Sequence, residues 1–401
     1  MPLSPQPEVR CLLALGSALL GYGLPAHRVE ESMLRLARAF GLDITVFGLP
    51  TVVMVTSHFG DCTSTYTARA AIAAIDLTRL DALHALIAQV ERRELDAAQA
   101  EHEVRAILTR PAAHAIWSNL VAVVLVALGG ALMLGVSLSD ALWAGALGLG
   151  IGVMLGLGAD HPTLARLTPM LATVLATLAS CALFNAQLVA HPLVVTIAAM
   201  LVLLPGLTVT LAMVELATGH LVSGAARSIG AVAVFLQLGV GVLLGLRLGH
   251  IDAARIELLP PAPLEVASLG ALLLATGFAV LLVVRVRDLA ATLIVCALAF
   301  FVCRGLGGWL GVDVGVLVAA TTVGVVSHAF ARRHDRPSST LTLPGVMMLV
   351  PGSLGLLAVS AAALHDPTRA FDMGIQMALA VVALSTGILL SAAALPPRTS
   401  I

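Results

Sequence analysis

The chain has no lysine, and only 11% of its 401 residues carry a charge. Soluble domains contain about 25% charged residues, so this composition excludes an ordinary soluble protein. The net charge is −1, which excludes the strongly basic surface that is typical of nucleic-acid binding. Arginine replaces lysine throughout, and we attach no functional meaning to that preference.

Enzyme and cofactor motifs are absent as well. The five cysteines show no pattern of a disulfide framework or a metal site. The sequence has no nucleophile elbow, dinucleotide fingerprint or P-loop, and the missing P-loop excludes a self-contained ATP drive. We therefore expect no enzyme activity, no cofactor and no metal. A membrane-embedded enzyme or sensor stays open as an alternative through His27, Asp61 and Cys62, and a closed polar pocket at His27 or Asp61, away from the membrane, would favour it.

The charges that do occur are concentrated near the N-terminus. Residues 1–116 hold 10 of the 22 basic and 12 of the 23 acidic residues, whereas the remaining 285 residues hold 12 and 11. This asymmetry predicts a soluble domain over residues 1–112, followed by a membrane domain. We divide the membrane domain into two halves of five helices each, residues 113–250 and 251–401.

The N-terminal domain has the pattern of a small α+β fold. Cys11–Tyr22 is an apolar helix candidate, and an amphipathic helix follows up to Gly41. Short β-branched segments at 43–50 and 51–60 predict two neighbouring strands. The charged segment 76–108 predicts a helix that leads to the membrane.

Long apolar segments begin at Trp117. A membrane-spanning helix needs about 20 apolar residues, and ten such segments follow. They lie at about 117–136, 140–158, 167–188, 192–214, 222–246, 266–285, 289–310, 313–331, 341–364 and 372–394.

Arginines in the short connections predict the orientation, because they accumulate on the cytoplasmic side. If the N-terminal domain is cytoplasmic, three connection arginines fall outside, and eight fall inside or in the tail: Arg166, Arg227, Arg285, Arg287, Arg332, Arg333, Arg336 and Arg398. We expect a multi-pass protein of the plasma (inner) membrane with both termini in the cytoplasm.

Two of the predicted spans contain a Pro-Gly pair near their middle. Pro205-Gly206 interrupts the fourth span, and Pro351-Gly352 interrupts the ninth. Proline removes a helical N–H group, and glycine lets the backbone leave helical angles. Each half of five spans thus has a break in its fourth member, and an odd number of spans makes the second half enter from the opposite side. The pattern predicts a 5+5 inverted repeat, as in many secondary transporters, although a simple packing kink is the alternative for each break.

Three motifs follow one another along the chain. They are "GLPAHRVEESMLRLARAFGL" followed by "VFGLPTVVMVTS", then "LLPGLTVTLAMVELATGHLVSGAARS", and finally "LPGVMMLVPGSLGLL". Together they resemble the threonine/serine exporter family. The resemblance spans nearly the whole chain in the fused form, whereas related split proteins of five spans each are associated with succinate export. It implies a cytoplasmic N-terminal domain, ten spans, and efflux of threonine and serine driven by the proton gradient.

The substrate site is expected between the two breaks. Broken helices in transporters line a site at the middle of the membrane, where half-helix N-termini attract carboxylates. Hydroxyl groups nearby suit a small polar amino acid, although span hydroxyls more often bond to their own helix. The predicted substrate-binding residues are Pro205, Gly206, Thr208, Thr210, Pro351, Gly352 and Ser353.

Five residues are candidates for proton coupling. Glu215 follows 23 uncharged residues and His220 lies just beyond it, so either could titrate; the alternatives are an interfacial acid and a loop histidine. Asp160 and His161 end the second span, and a helix cap is their simpler role. Arg304 lies within a span and could neutralise a substrate carboxylate, unless it extends to the outer surface near Asp313.

We therefore expect a proton-coupled exporter that works by alternating access in the lipid bilayer. Its partner is a small molecule, L-threonine or L-serine first, with a dicarboxylate such as succinate as the alternative. An arginine facing the cavity would favour the dicarboxylate, and a cavity with one acid and mostly hydroxyls would favour the amino acid. Nucleic acid is not expected as a partner, and a homo-oligomer stays open.

Overall fold

The structure is a computed structural model that describes residues 6–59, 62–71, 73–110, 116–158, 161–250 and 260–396. Its N-terminal domain consists of four helices and three strands. In chain order they are α1 (Pro7–Gly21), α2 (Ala26–Ala39), β1 (Ile44–Leu49), β2 (Val52–Phe59), β3 (Cys62–Arg69), α3 (Leu77–Glu91) and α4 (Ala97–Thr109).

The three strands form one antiparallel sheet in the order β1-β2-β3. Leu49 lies opposite Val52, so a two-residue turn joins β1 to β2, and the two strands predicted to be neighbours are confirmed as such. The third strand was not predicted, because its sequence "CTSTYTAR" is polar at most positions, although Tyr66 and Ala68 on one face pack against the core. The single helix predicted over 76–108 is wrong: Asp96 caps a separate helix α4 through a capping box with Gln99.

The sheet and the helices enclose one apolar core. Val53 and Val55 of β2 are fully buried, as are Leu15 of α1 and Met33 of α2. The same core continues onto Leu282, which follows a membrane helix. The N-terminal domain is therefore packed against the membrane part rather than tethered beside it.

The rest of the described chain is helical. Its helices are α5 (Ile116–Met133), α6 (Leu138–Gly158), α7 (Pro162–Asn185), α8 (Pro192–Ala199), α9 (Gly206–Ala217), α10 (Leu221–Leu248), α11 (Leu264–Leu281), α12 (Val286–Leu310), α13 (Val312–His334), α14 (Ser339–Met347), α15 (Gly352–Ala363) and α16 (Pro367–Ala394).

Within the described residues, nine helical segments are long and apolar enough to cross a membrane, one of them being the segment Ser339–Ala363 that contains α14 and α15. A tenth crossing arises if α8 and the segment Leu201–Ala217, which bend by 51° relative to each other, count as one broken span. The expected fold class is confirmed: a polytopic α-helical membrane protein with a small N-terminal α+β domain.

The two halves of the membrane part run in opposite directions relative to the N-terminal domain. Helix α5 leaves that domain, since Ile116 lies seven positions after the end of α4. Helix α11 returns to it, because the Leu77 amide donates to the Leu282 carbonyl at 2.9 Å and the Thr78 hydroxyl donates to the Val283 carbonyl at 2.8 Å. These directions are those that an inverted repeat requires, and the repeat itself stays a prediction.

Ion pairs attach the N-terminal domain to the second half. Asp81 of α3 contacts Arg285, Arg287 and Arg336, and Arg336 also contacts Asp288 at 3.3 Å. These three arginines belong to the connections that the sequence assigns to the inside. They therefore lie on the same side of the membrane part as the N-terminal domain.

Candidate functional site

The first break separates α8 from α9. One 3₁₀ turn, Leu201–Leu203, follows α8, and Leu204 is extended. Pro205, which has no N–H group to continue a helix, then precedes α9 with φ −80° and ψ 33°. The Pro-Gly pair thus ends one half-helix and starts the next.

The second break repeats this geometry. Helix α14 ends at Met347, and α15 begins at Gly352 after Pro351. Pro351 has φ −82° and ψ 40°, within a few degrees of Pro205. The same dipeptide therefore makes the same local turn in both halves.

The two breaks meet in space. A methyl group placed on Gly206 would lie 3.2 Å from the Gly352 Cα atom and 3.3 Å from the Gly352 amide nitrogen, so the backbones pass in direct contact. A methyl group on Gly352 would lie 3.1 Å from the Leu204 side chain. A methyl group on Gly206 would also clash with the Val350 side chain, so a side chain at either glycine would have to displace its neighbours.

Two helix N-termini consequently converge at one point. Helices α9 and α15 both begin at the contact. The N-cap residue of each is a proline, whose side chain cannot accept a capping hydrogen bond. The amides of a first helical turn have no partner within their own helix and carry partial positive charge. The contact between the two breaks can therefore bind a carboxylate through backbone N–H groups.

A cavity of about 230 Å³, which we call the central cavity, lies at the contact between the two breaks. Gly352 and Ser353 line it from α15, and Leu204 and Leu207 line it from the first break. The remaining lining residues of this described cavity are Gly130, Met133, Leu134, Leu201, Val202, Leu274, Phe278, Leu281, Met347, Met348 and Val350. Its only side-chain hydroxyl is Ser353, and its lining includes neither an arginine nor an acid.

The predicted hydroxyl residues differ in their placement. Ser353 lies at the central cavity, whereas Thr208 is half-buried and does not line it. Thr210 is buried and donates to the Gly206 carbonyl of its own helix at 3.1 Å. Thr210 therefore makes the within-helix bond that the sequence offered as the alternative.

Glu215 is fully buried at the end of α9. The Arg227 Nε atom donates to both of its carboxylate oxygens, at 3.1 Å each. The Ala26 amide of the N-terminal domain donates to Glu215 Oε1 at 2.8 Å, so this carboxylate caps α2 from another part of the fold. Arg227 in turn donates to the Leu24 carbonyl at 3.2 Å. The pair joins the half-helix that starts at the break to the N-terminal domain.

His220 strengthens the same attachment. Its Nε2 atom lies 3.1 Å from Glu30 Oε2, and the other Glu30 oxygen accepts from the Gly48 amide at 2.7 Å. The His27 ring lies 5.8 Å from the His220 ring. The sequence identified Glu215 and His220 as candidates but not their partners, which lie nearly 200 positions away in the chain, or Arg227, 12 positions after Glu215.

His27 makes a testable contribution to the pH dependence of stability. Burial, then Arg28 and His220, lowers the pKa of His27 from 6.5 to about 3. Between about pH 6.5 and about pH 3, His27 is protonated in the unfolded chain but neutral in the folded chain. The stability of the folded chain therefore falls as the pH drops below 6.5. We expect His27→Asn to reduce the loss of melting temperature between about pH 7 and about pH 5 by a few degrees. Thermal unfolding at both pH values measures this, and the same loss in wild type and variant would contradict it.

The matched control is His102→Asn, since His102 is exposed on α4. His84 keeps its own contribution in every variant, because burial and then Arg35 lower its pKa as well. The difference between the His27 and His102 variants therefore isolates His27.

The other predicted titratable residues lie elsewhere. Asp160 and Asp61 lie outside the described residues. His161 is exposed and forms the N-cap of α7. Arg304 donates to the Ala262 carbonyl, next to the start of α11, and does not line the central cavity.

Comparison with known proteins identifies the family. A family model described as "Putative threonine/serine exporter" matches residues 10–249, more than half of the chain. A second, described as "Threonine/Serine exporter, ThrE", matches residues 267–394. The chain belongs to the threonine/serine exporter family. Membership points to a transporter rather than an enzyme, and it agrees with a multi-pass membrane protein.

A curated relative is similar over part of this exporter-family chain. The "Probable threonine/serine exporter" of Mycobacterium tuberculosis (strain ATCC 25618 / H37Rv) is 29% identical over 202 residues, which cover 47% of the chain and 38% of that relative. The match thus spans less than two fifths of the relative's length. No solved structure matches the chain.

Proposed function

We propose that this chain is a secondary active exporter of small hydrophilic metabolites, with L-threonine and L-serine as its first substrates. Membership in the exporter family supports this function. The observation that carries the proposal is the meeting of two uncapped helix N-termini at Gly206 and Gly352, beside a cavity of about 230 Å³. The contact between the two breaks supplies backbone donors for one carboxylate.

The described lining of the central cavity meets neither criterion that the sequence suggested, since it has no arginine, no acid and one hydroxyl, Ser353. We prefer an amino acid to a dicarboxylate on charge alone. A second carboxylate needs a further positive group, and the described residues that line the cavity include no arginine. The aliphatic lining suits a short side chain such as that of threonine, and Ser353 can accept from or donate to its hydroxyl. The predicted acid is missing from this lining, which leaves the substrate ammonium to the backbone carbonyls of the breaks.

Alternating access and proton coupling complete the proposal. The substrate would be exposed in turn to each side as the two broken helices move, and Glu215, at the far end of α9 from the break, is the proposed proton acceptor. We assign the N-terminal domain and both termini to the cytoplasm on the arginine distribution.

Counterflow in proteoliposomes tests this function. We expect labelled L-threonine and L-serine to accumulate against an internal pool of the same amino acid, with an accelerating effect of a pH gradient. Labelled succinate should accumulate much less. Movement of succinate alone would replace the substrate class, and movement of none of the three would refute the proposal.

A further inference from the structure

A second cavity lies between the N-terminal domain and the membrane helices. It has a volume of about 120 Å³, and we call it the junction cavity. His27 and Arg28 line it from α2, His328 from α13 and Ser339 from α14. Leu207 of α9 lines both this cavity and the central cavity, so the two spaces share one lining residue.

The junction cavity collects polar atoms that have no partner. Five buried side-chain polar atoms lack a hydrogen bond in the described part of the chain, and three of them belong to residues that line this cavity: His27 Nδ1, His328 Nδ1 and Ser339 Oγ. His328 is only 4% exposed. Buried polar groups without partners are costly and call for an explanation, and a bound polar ligand provides one.

The charges around the cavity define the ligand. Among the described residues that line it, Arg28 is the one charged side chain, and the hydrogen bond that its guanidinium makes to Glu31 is long, at 3.5 Å. Burial lowers the pKa of His27 to about 3, so its imidazole is neutral and offers an acceptor nitrogen as well as a donor. At about 30 Å³ for each water in the liquid, the space holds a small metabolite and excludes a nucleotide.

We propose that the junction cavity binds a free α-amino acid as a zwitterion before it enters the central cavity. The carboxylate binds the Arg28 guanidinium, and the ammonium group donates to the imidazoles of His27 and His328 and to the Ser339 hydroxyl. A dicarboxylate is disfavoured, because its second carboxylate would meet no other cation on the described lining. The role as an entry site rests on the proposed function, whereas amino-acid binding does not.

Direct binding to the purified full-length chain in detergent tests the site. The probe is labelled L-threonine, with unlabelled L-serine and succinate as competitors. We expect Arg28→Gln to weaken binding at least tenfold, and L-serine to compete at much lower concentration than succinate. The matched control is Arg38→Gln, the same change on the exposed end of α2, which should bind as wild type.

Two further variants separate the site from folding defects and from the central cavity. Ser339→Leu fills the junction cavity without altering a charge, and it should abolish the Arg28-dependent part of the binding with an unchanged melting temperature. Gly206→Val obstructs the central contact but should retain Arg28-dependent binding. Equal binding by wild type, Arg28→Gln and Ser339→Leu, or loss of all binding in Gly206→Val, would overturn the site.

The two proposals fail in different ways. A wild-type chain that binds L-threonine at the junction cavity but shows no counterflow would refute the exporter function and retain the site. Normal counterflow by the wild type, together with L-threonine binding that is unchanged in the Arg28 and Ser339 variants, would refute the site and retain the function. Failure of wild type to bind labelled L-threonine refutes the site directly.

Discussion

Replacing Gly206 with valine is expected to lower the initial rate of threonine counterflow at least tenfold. The reason is crowding at the breaks, where a methyl group on Gly206 would clash with the Val350 side chain and lie 3.2 Å from the Gly352 Cα atom. Backbone cannot yield as a flexible side chain can, and overpacking costs about 1–3 kcal/mol. A tenfold rate change corresponds to about 1.4 kcal/mol in the activation free energy, which lies within that range.

The control for this prediction is Gly230→Val. Gly230 lies on α10, and a methyl group there would meet no atom within 4 Å. This variant should transport as wild type when rates are normalised to the amount of reconstituted protein. A Gly206→Val chain that matches it would show that transport does not depend on contact between the two breaks.

Replacing Glu215 with glutamine is expected to destabilise the chain strongly. Arg227 would keep its buried charge without its partner, and breaking a buried ion pair in this way costs about 3–5 kcal/mol. Replacing both members should restore much of the stability, because no unpaired charge then stays buried and the glutamine side-chain oxygen can still accept from the Ala26 amide. Melting temperatures in detergent of Glu215→Gln and of Glu215→Gln with Arg227→Met measure the two effects.

The double variant also tests proton coupling separately from folding. We expect it to recover its melting temperature while its counterflow loses the response to a pH gradient. A normal pH response in the stable double variant would remove Glu215 from the coupling role. Glu94→Gln, a change at an exposed acid of the N-terminal domain, should alter neither stability nor the pH response.

Much of the membrane architecture follows from local features of the sequence. Apolar length alone predicts the spans, and a proline that cannot donate predicts both breaks at their observed positions. The polar strand β3 shows the limit of this reasoning, since a strand without apolar alternation resembles a loop. The gap between α3 and α4 depends on a single cap, Asp96, inside an otherwise helical pattern.

The contacts that define the candidate sites are of another kind. Glu215 contacts Ala26 from 189 positions away in the sequence, and Gly206 contacts Gly352 from 146 positions away. No periodicity or spacing encodes such pairs, because they depend on how whole helices pack. The matching Pro-Gly pairs predicted one of them, whereas nothing in the sequence pairs His328 with His27, beside which it lines a cavity.

The way the N-terminal domain is attached has a mechanical consequence. Glu215 and Arg227 hold the domain to the first half of the membrane part, while Asp81 holds it to Arg285, Arg287 and Arg336 of the second half. If the two halves move against each other, a domain bound to both must deform internally or break one set of ion pairs in every cycle. Alternating access in this chain would therefore be timed by whichever of the two ion-pair clusters opens first, so the domain would serve as a latch on the transport cycle.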